Sequence, residues 1–266
     1  MSFASTTFWA ASGPPSPGPA DFNLPAIFSV GGLDVTKPML LVVLSGFLII
    51  GLFYSMAKPA QVVPGRMQFA GEMVYGFVRD GIARENIGSR DHMRFVPYLF
   101  SIFLFVLINN FYGLIPFLQF PSMSHIGYPL AIAVLSWLVY NGAGIKKKGF
   151  LGYLKHETVP AGMSGPILLL LVPLEFLSNI LLRPITLTLR LFATMFAGHL
   201  LLILFSLGGE FLLLHSENAL RYPAGIISAL LAVAISFLEI LIMFLQAYVF
   251  TLLSAMYVGE ALADEH

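Results

Sequence analysis

The chain has 266 residues, no cysteine, 58% hydrophobic residues and only 11% charged ones, with a mean hydropathy of +0.85. An ordinary soluble domain is about 25% charged, so this composition excludes a typical cytosolic enzyme. The balance of 14 basic and 14 acidic residues excludes the basic footprint of a nucleic-acid binder, and the missing cysteines exclude a disulfide framework, a thiol nucleophile and an iron–sulfur site. What remains is an all-α polytopic membrane protein, with room for roughly five or six spans at ~20 apolar residues each.

Residues 1–37, rich in Pro, Ser and Gly and without a basic leader, read as an outer N-terminal tail. Residues 38–266 then form one membrane domain. The first span covers 38–57, a charge-free run. Residues 64–90 are amphipathic: Phe69, Met73, Phe77, Ile82 and Ile87 recur near helical spacing among Arg66, Glu72, Arg79, Asp80, Arg84 and Glu85. That pattern predicts a helix lying on the membrane surface. From Phe95 to Ile145 there is no Asp, Glu, Lys or Arg. Pro116, Pro121, Gly127 and Pro129 divide this stretch into spans at 95–115 and 128–144, joined by a polar turn that must sit at the interface or against protein.

Two further apolar stretches, 166–208 and 222–259, are ~40 residues long. A straight helix of that length reaches ~60 Å, twice the ~30 Å of a bilayer core. No Gly or Pro interrupts Ile226–Tyr257, so each stretch is expected to be one long tilted helix, the first kinked at Pro184.

Basic residues are sorted between the two sides. Lys58, Arg66, Arg79, Arg84, Arg90, Arg94, Lys146, Lys147, Lys148 and Lys155 fall on one side, and only Lys37 and Arg221 on the other. The positive-inside rule then sets the N-terminus outside and the C-terminus in the cytoplasm.

Glu175, Arg190, His199 and Glu239 are left deep within apolar helices, where a charge costs ~3 kcal/mol on insertion scales. Arg183 lies nearer the cytoplasmic end, where its stem allows snorkelling. Arg190 is a permanent cation with no acidic residue at i±3 or i±4. Its partner is therefore on another helix or another chain, the internal alternatives being Glu175 and Glu239. His199, nine residues on, falls on the opposite face and shares it with Ser206 and Glu210. Glu239 shares a face with Gln246, with Ser236 close by. A His–Glu pair across two helices is suited to relaying a proton, or to locking the helices by a hydrogen bond. On the other side of Arg190, Glu175 shares a face with Ser178 and Asn179. Two polar tracks separated by a fixed cation would prevent a proton from leaking straight through.

The strings LINNFYGLIP, PLEFLSNILLRPITLTLR, LRLFATMFAGHLLL and FLEILIMFLQAYVFTLLSAMY resemble subunit a of the F-type ATP synthase, over about 220 residues from the first span onward. The resemblance implies that Arg190 faces the proton-carrying carboxylates of a rotating c-ring. It implies that His199 and Glu239 line the outer half-channel, in an order exchanged relative to members with a carboxylate first and a histidine second. Gln246 matches a polar residue near the arginine, Asn110 an asparagine of the outer path, and Glu175 an acidic residue of the cytoplasmic path. Thr194 departs from the usual Asn. The implied partners are the c-ring, the b subunits of the peripheral stalk, the rest of the ATP synthase complex and membrane lipid. The implied location is a bacterial plasma membrane. No cofactor or metal is expected: HExxH is absent, and so is the GxxxxGK[ST] loop, which leaves ATP chemistry to other subunits. A secondary ion transporter or antiporter is the alternative, but such folds show internal repeats and broken helices that this sequence lacks.

Overall fold

The computed structural model describes residues 18, 27–30, 33–57, 65–115, 121–158, 168–214 and 222–263. Most of the expected tail, Lys58, Pro116 and Arg221 lie outside these. Within the expected tail, β1 (Phe28–Val30) and β2 (Leu33–Val35) form an antiparallel hairpin, with Phe28 opposite Val35.

The remaining elements among the described residues are helical. The elements are α1 (Lys37–Ala57), α2 (Arg66–Gly76), a π-helical segment Phe77–Arg84, α3 (Glu85–Ile87), α4 (His92–Phe111), a 3-10 turn Ser122–Ser124 and α5 (Gly127–Lys148). They continue with α6 (Phe150–Thr158), α7 (Leu168–Phe176), a second π-helical segment Leu177–Leu182, α8 (Arg183–Leu214) and α9 (Tyr222–Leu262). Among the described residues, five helical stretches are long and apolar enough to span a membrane: Lys37–Ser55, His92–Phe111, Gly127–Lys148, Leu170–Leu214 and Tyr222–Leu262. The fold is that of an all-α polytopic membrane protein. The two C-terminal stretches, of 45 and 41 residues, are each one helical path rather than two spans.

The core centres on α4. Leu99, Phe100, Phe103 and Val106 are buried against Met243, Ala247 and Phe250 of α9, with Leu187, Leu191 and Met195 of α8 in the same cluster. α1 joins through Asn109, whose amide donates to Ser45 Oγ at 2.8 Å. In contrast Phe47, Leu230 and Phe237 are each about two-thirds exposed (67%, 65%, 70%), as lipid- or partner-facing residues of a membrane helix are.

The expected surface helix divides in two. Phe69 and Met73 on α2 are exposed, as an amphipathic surface helix requires. From Phe77 the longer i→i+5 turns of the π segment shift the phase, and Val78, Ile82 and Ala83 become fully buried against the bundle. Phe77 packs near Phe103, Phe244 and Tyr248. Gly259 of α9 fits against the Asn86 carbonyl, where a Cβ has no room.

The polar turn between α4 and α5 is packed against protein: Ser122, Met123 and Ser124 are buried, so their backbone groups are shielded from lipid. A π segment, Leu177–Leu182, ends just before Pro184, which lies in the first turn of α8. Pro184 has no N–H for the carbonyl four residues earlier. That carbonyl, of Ile180, instead accepts the Trp137 indole N–H of α5 at 2.8 Å.

α8 and α9 run antiparallel in close contact. A Cβ on Gly209 would stand 3.2 Å from the Ala229 nitrogen, and one on Gly225 2.8 Å from Leu213 Cγ. Ser228 Oγ donates to the Phe205 carbonyl at 2.8 Å. These approaches fix the register that positions the site.

Candidate functional site

The register brings His199 and Glu239 together, Nδ1 to Oε1 at 3.7 Å, with both side chains buried. A Cβ on Gly198 would stand in ordinary contact with Glu239, 3.7 Å from Oε1. The separation exceeds a direct hydrogen bond but lies within ion-pair distance. His199 forms the floor of a cleft of about 540 Å³, lined with Gly113, Leu114, Leu202, Ile203, Ser206, Leu207, Glu210 and Ser236. This cleft lies toward the end of the bundle where α8 stops and α9 starts. Ser206, Glu210 and Ser236 thus share it with His199.

Asn110 is placed differently. Its amide donates to the Met243 carbonyl at 3.4 Å, holding α4 to α9, and it is not among the cleft residues.

Arg190 faces away from this pair. Leu187, Leu191, Met195 and His199 are the buried positions of α8 here, while Leu189, Ala193, Ala197, Leu201 and Leu204 form an exposed stripe. Ala197 and Leu201 lie within about 20° of Arg190 around the helix. Arg190 therefore stands on the stripe, half-exposed, flanked by two alanines that leave room over it. Among the described residues no carboxylate lies within ion-pair distance of it, so the alternatives of Glu175 and Glu239 as internal partners are not realised. Thr194 turns its hydroxyl back to the Arg190 carbonyl at 2.8 Å and leaves the guanidinium alone. Gln246 is buried. It lies about 10 Å along α9 from Glu239, and Arg190 about 13 Å along α8 from His199 in the same direction, so the two stand within a turn of one level.

The opposite end of the helix pair, beside Lys146–Lys148, holds a second polar group. Glu175 Oε2 accepts from Asn179 Nδ2 at 3.0 Å, while Ser178 is exposed. The same Asn179 nitrogen reaches the Glu157 carbonyl at 2.9 Å, and Asn179 Oδ1 accepts from Arg183 at 3.0 Å. Arg183 does not snorkel outward. It is only 15% exposed, 2.9 Å from Glu260 and 3.6 Å from the buried carboxylate of Glu157, and it covers the Tyr257 ring at 4.8 Å.

α6 delivers Glu157 to this place. Gly149, at φ +75°, turns the chain after α5, in a conformation glycine adopts without strain. α6 then folds back so that Tyr153 packs against Gly144, where a Cβ would collide with the ring. Tyr153 donates to Asn141 Oδ1 at 3.0 Å. Burial, and then the charge of Glu157, push its phenol well above the usual range, so it remains a donor. Neither Glu157 nor Glu260 stands out in the sequence. Both lie in charged segments, and only the fold-back of α6 and the length of α9 unite them. Among the described residues no cluster of His, Asp and Glu is arranged to hold a metal.

Residues 39–259 match the model of the family described as "ATP synthase A chain". The chain is 54% identical to the protein named ATP synthase subunit a of a Nocardioides species, covering 100% of both chains. It is 50% identical to the protein of that name from Paenarthrobacter aurescens over 94% of both, and 39% identical to that from Rhodococcus erythropolis over 98% of this chain and 96% of the relative. With five apolar helices placed as described and a match across nearly its whole membrane domain, the chain belongs to the ATP synthase A chain family, the a subunits of F-type ATP synthases.

Proposed function

We propose that this chain is the non-catalytic, proton-translocating stator of a rotary ATP synthase in a bacterial plasma membrane, with its N-terminus outside and its C-terminus in the cytoplasm. Its partners are a ring of c subunits on the α8–α9 face and the b subunits of the peripheral stalk. One observation carries the reading: an unneutralised Arg190 beside an exposed stripe of leucines and alanines, with one titratable pair opening to a cleft on one side of it and a carboxylate near the other end. A proton from outside enters by Glu210, Ser206 and His199, and the His199–Glu239 pair passes it to a ring carboxylate released from Arg190. Asn110 acts indirectly, by holding α4 on α9 beside Glu239. The neutral ring site turns into lipid because a protonated acid is far less costly to bury than an ion. After nearly a full turn it gives the proton to the Glu175 side, and the ionised ring site pairs again with Arg190. The membrane potential supplies about 2.3 kcal/mol per charge per 100 mV.

The test is ATP-driven proton pumping in inverted membrane vesicles carrying Arg190→Ala. Loss of pumping with the complex still assembled is the expected result. Pumping at the wild-type rate would overturn the reading.

A further inference from the structure

The cytoplasmic-end cluster contains a problem for the proposed exit. Arg183 is a second permanent cation, separated from Glu175 by a single amide: Asn179 donates to Glu175 and accepts from Arg183, both at 3.0 Å. Left alone, such a charge in a half-buried setting would hold Glu175 ionised and repel protons from the mouth. The fold places two carboxylates on it, the buried Glu157 from α6 and the half-exposed Glu260 from the last turn of α9. With both ionised, the group formed by Arg183, Glu157 and Glu260 has a net charge of −1, and the mouth attracts protons. The other groups facing this cluster are Tyr140 and Asn141 from α5, Tyr153 from α6 and Tyr257 from α9, with His156 next to Glu157 in α6. Two further fixed cations lie near it, Lys147 of α5, which donates to the Leu262 carbonyl at 2.6 Å, and Arg190, which acts on the Tyr257 phenol; both are unchanged in the variants below.

We infer that Glu157, with Glu260, is a positioning residue of the cytoplasmic proton path: it neutralises Arg183, so that Glu175 exchanges protons without a bare cation beside it. The inference rests on the proposed reading of Glu175 as the exit carboxylate. It assigns α6, a short helix outside the spanning segments, a part in proton translocation. No bond other than O–H changes. A proton taken up by the Glu175 carboxylate from the cytoplasm is later released to a ring carboxylate during pumping, and the path reverses during synthesis.

The experiment measures ATP-driven pumping in inverted vesicles as a function of the pH of the outer medium, which faces the cytoplasmic side of the chain. During pumping Glu175 takes its proton from that medium, so the rate falls on the alkaline limb as the carboxylate stays ionised. In Glu157→Gln the exposed charge of Arg183 favours the ionised form, and the limb moves to lower pH by roughly one unit. Adding Arg183→Gln to that variant removes the cation and moves the limb back to or beyond the wild-type position. Glu157→Asp keeps it in place. Glu260→Gln, at a half-exposed position that does not disturb packing, moves it in the same direction as Glu157→Gln by less than half as much. This second variant decides the matter if Glu157→Gln fails to assemble. A Glu157 or Glu260 variant with a lower rate at every pH but an unmoved limb overturns the inference, as does a double variant that fails to compensate. An unmoved limb in Glu175→Gln overturns the exit reading itself, and the inference with it.

Discussion

The two ends of the α8–α9 pair handle buried charge in opposite ways. Midway along α8 and α9, His199 and Glu239 face each other at 3.7 Å with no permanent charge between them, and the cleft that runs from them toward the C-terminal end of α8 carries two hydroxyls and a single exposed carboxylate among apolar residues. At the other end, two carboxylates pair with a guanidinium that never discharges, and a third, Glu175, is linked to it only through Asn179. In the first region protonation state and geometry can change together. In the second a fixed guanidinium is balanced by the carboxylates paired with it. Arg190 stands between them on the outward face, touching neither set of carboxylates.

The largest effect that would break this contrast is at Arg190. Replacing it with alanine removes the separation of the two ends, and ATP-driven pumping in vesicles should fall to background. The next concerns the titratable pair. Exchanging His199 and Glu239 together should retain more pumping than either His199→Glu or Glu239→His alone, because the double exchange preserves one acid facing one imidazole. A double variant no more active than the singles would show that the 3.7 Å pairing is not used. A smaller effect sharpens the role of close packing at the cleft end. Gly225→Ala places a Cβ 2.8 Å from Leu213 Cγ, an overpacking expected to cost about 1–3 kcal/mol, read as a lower thermal dissociation temperature of the complex. The smallest is Trp137→Phe, which removes the donor to the Ile180 carbonyl and should cost about 1 kcal/mol, with the pumping pH profile unmoved.

Much of this was legible from residues because a membrane helix obeys two simple rules, length and a 100° step. The first three spans follow from charge-free runs and the last two from long apolar stretches, the uninterrupted helix through 226–257 following from its lack of Gly and Pro. The opposite facing of Arg190 and His199 is a consequence of nine residues at 100° each, and the sharing of one cleft by His199, Ser206 and Glu210 of seven and eleven. What was not legible depends on tertiary closure. Asn110 looked like a lining residue, but the α4–α9 crossing directs its amide to the Met243 carbonyl. Arg183 looked like a snorkelling residue because its partners come from α6 and the far end of α9, 26 residues before it for Glu157 and 77 after it for Glu260. The two π-helical segments break the 100° rule itself, so the apolar stripe counted through Phe69, Met73 and Phe77 does not mark the face that Ile82 buries.

The bond from Trp137 to the Ile180 carbonyl has a mechanical consequence. A proline in a long helix ordinarily makes a compliant joint, and Arg190 lies only six residues beyond Pro184. A rotor pushing against that arginine would load the joint, and elastic give there would store work rather than transmit it. Clamping the freed oxygen to a neighbouring helix would brace that joint, so that such torque would meet a stiff lever.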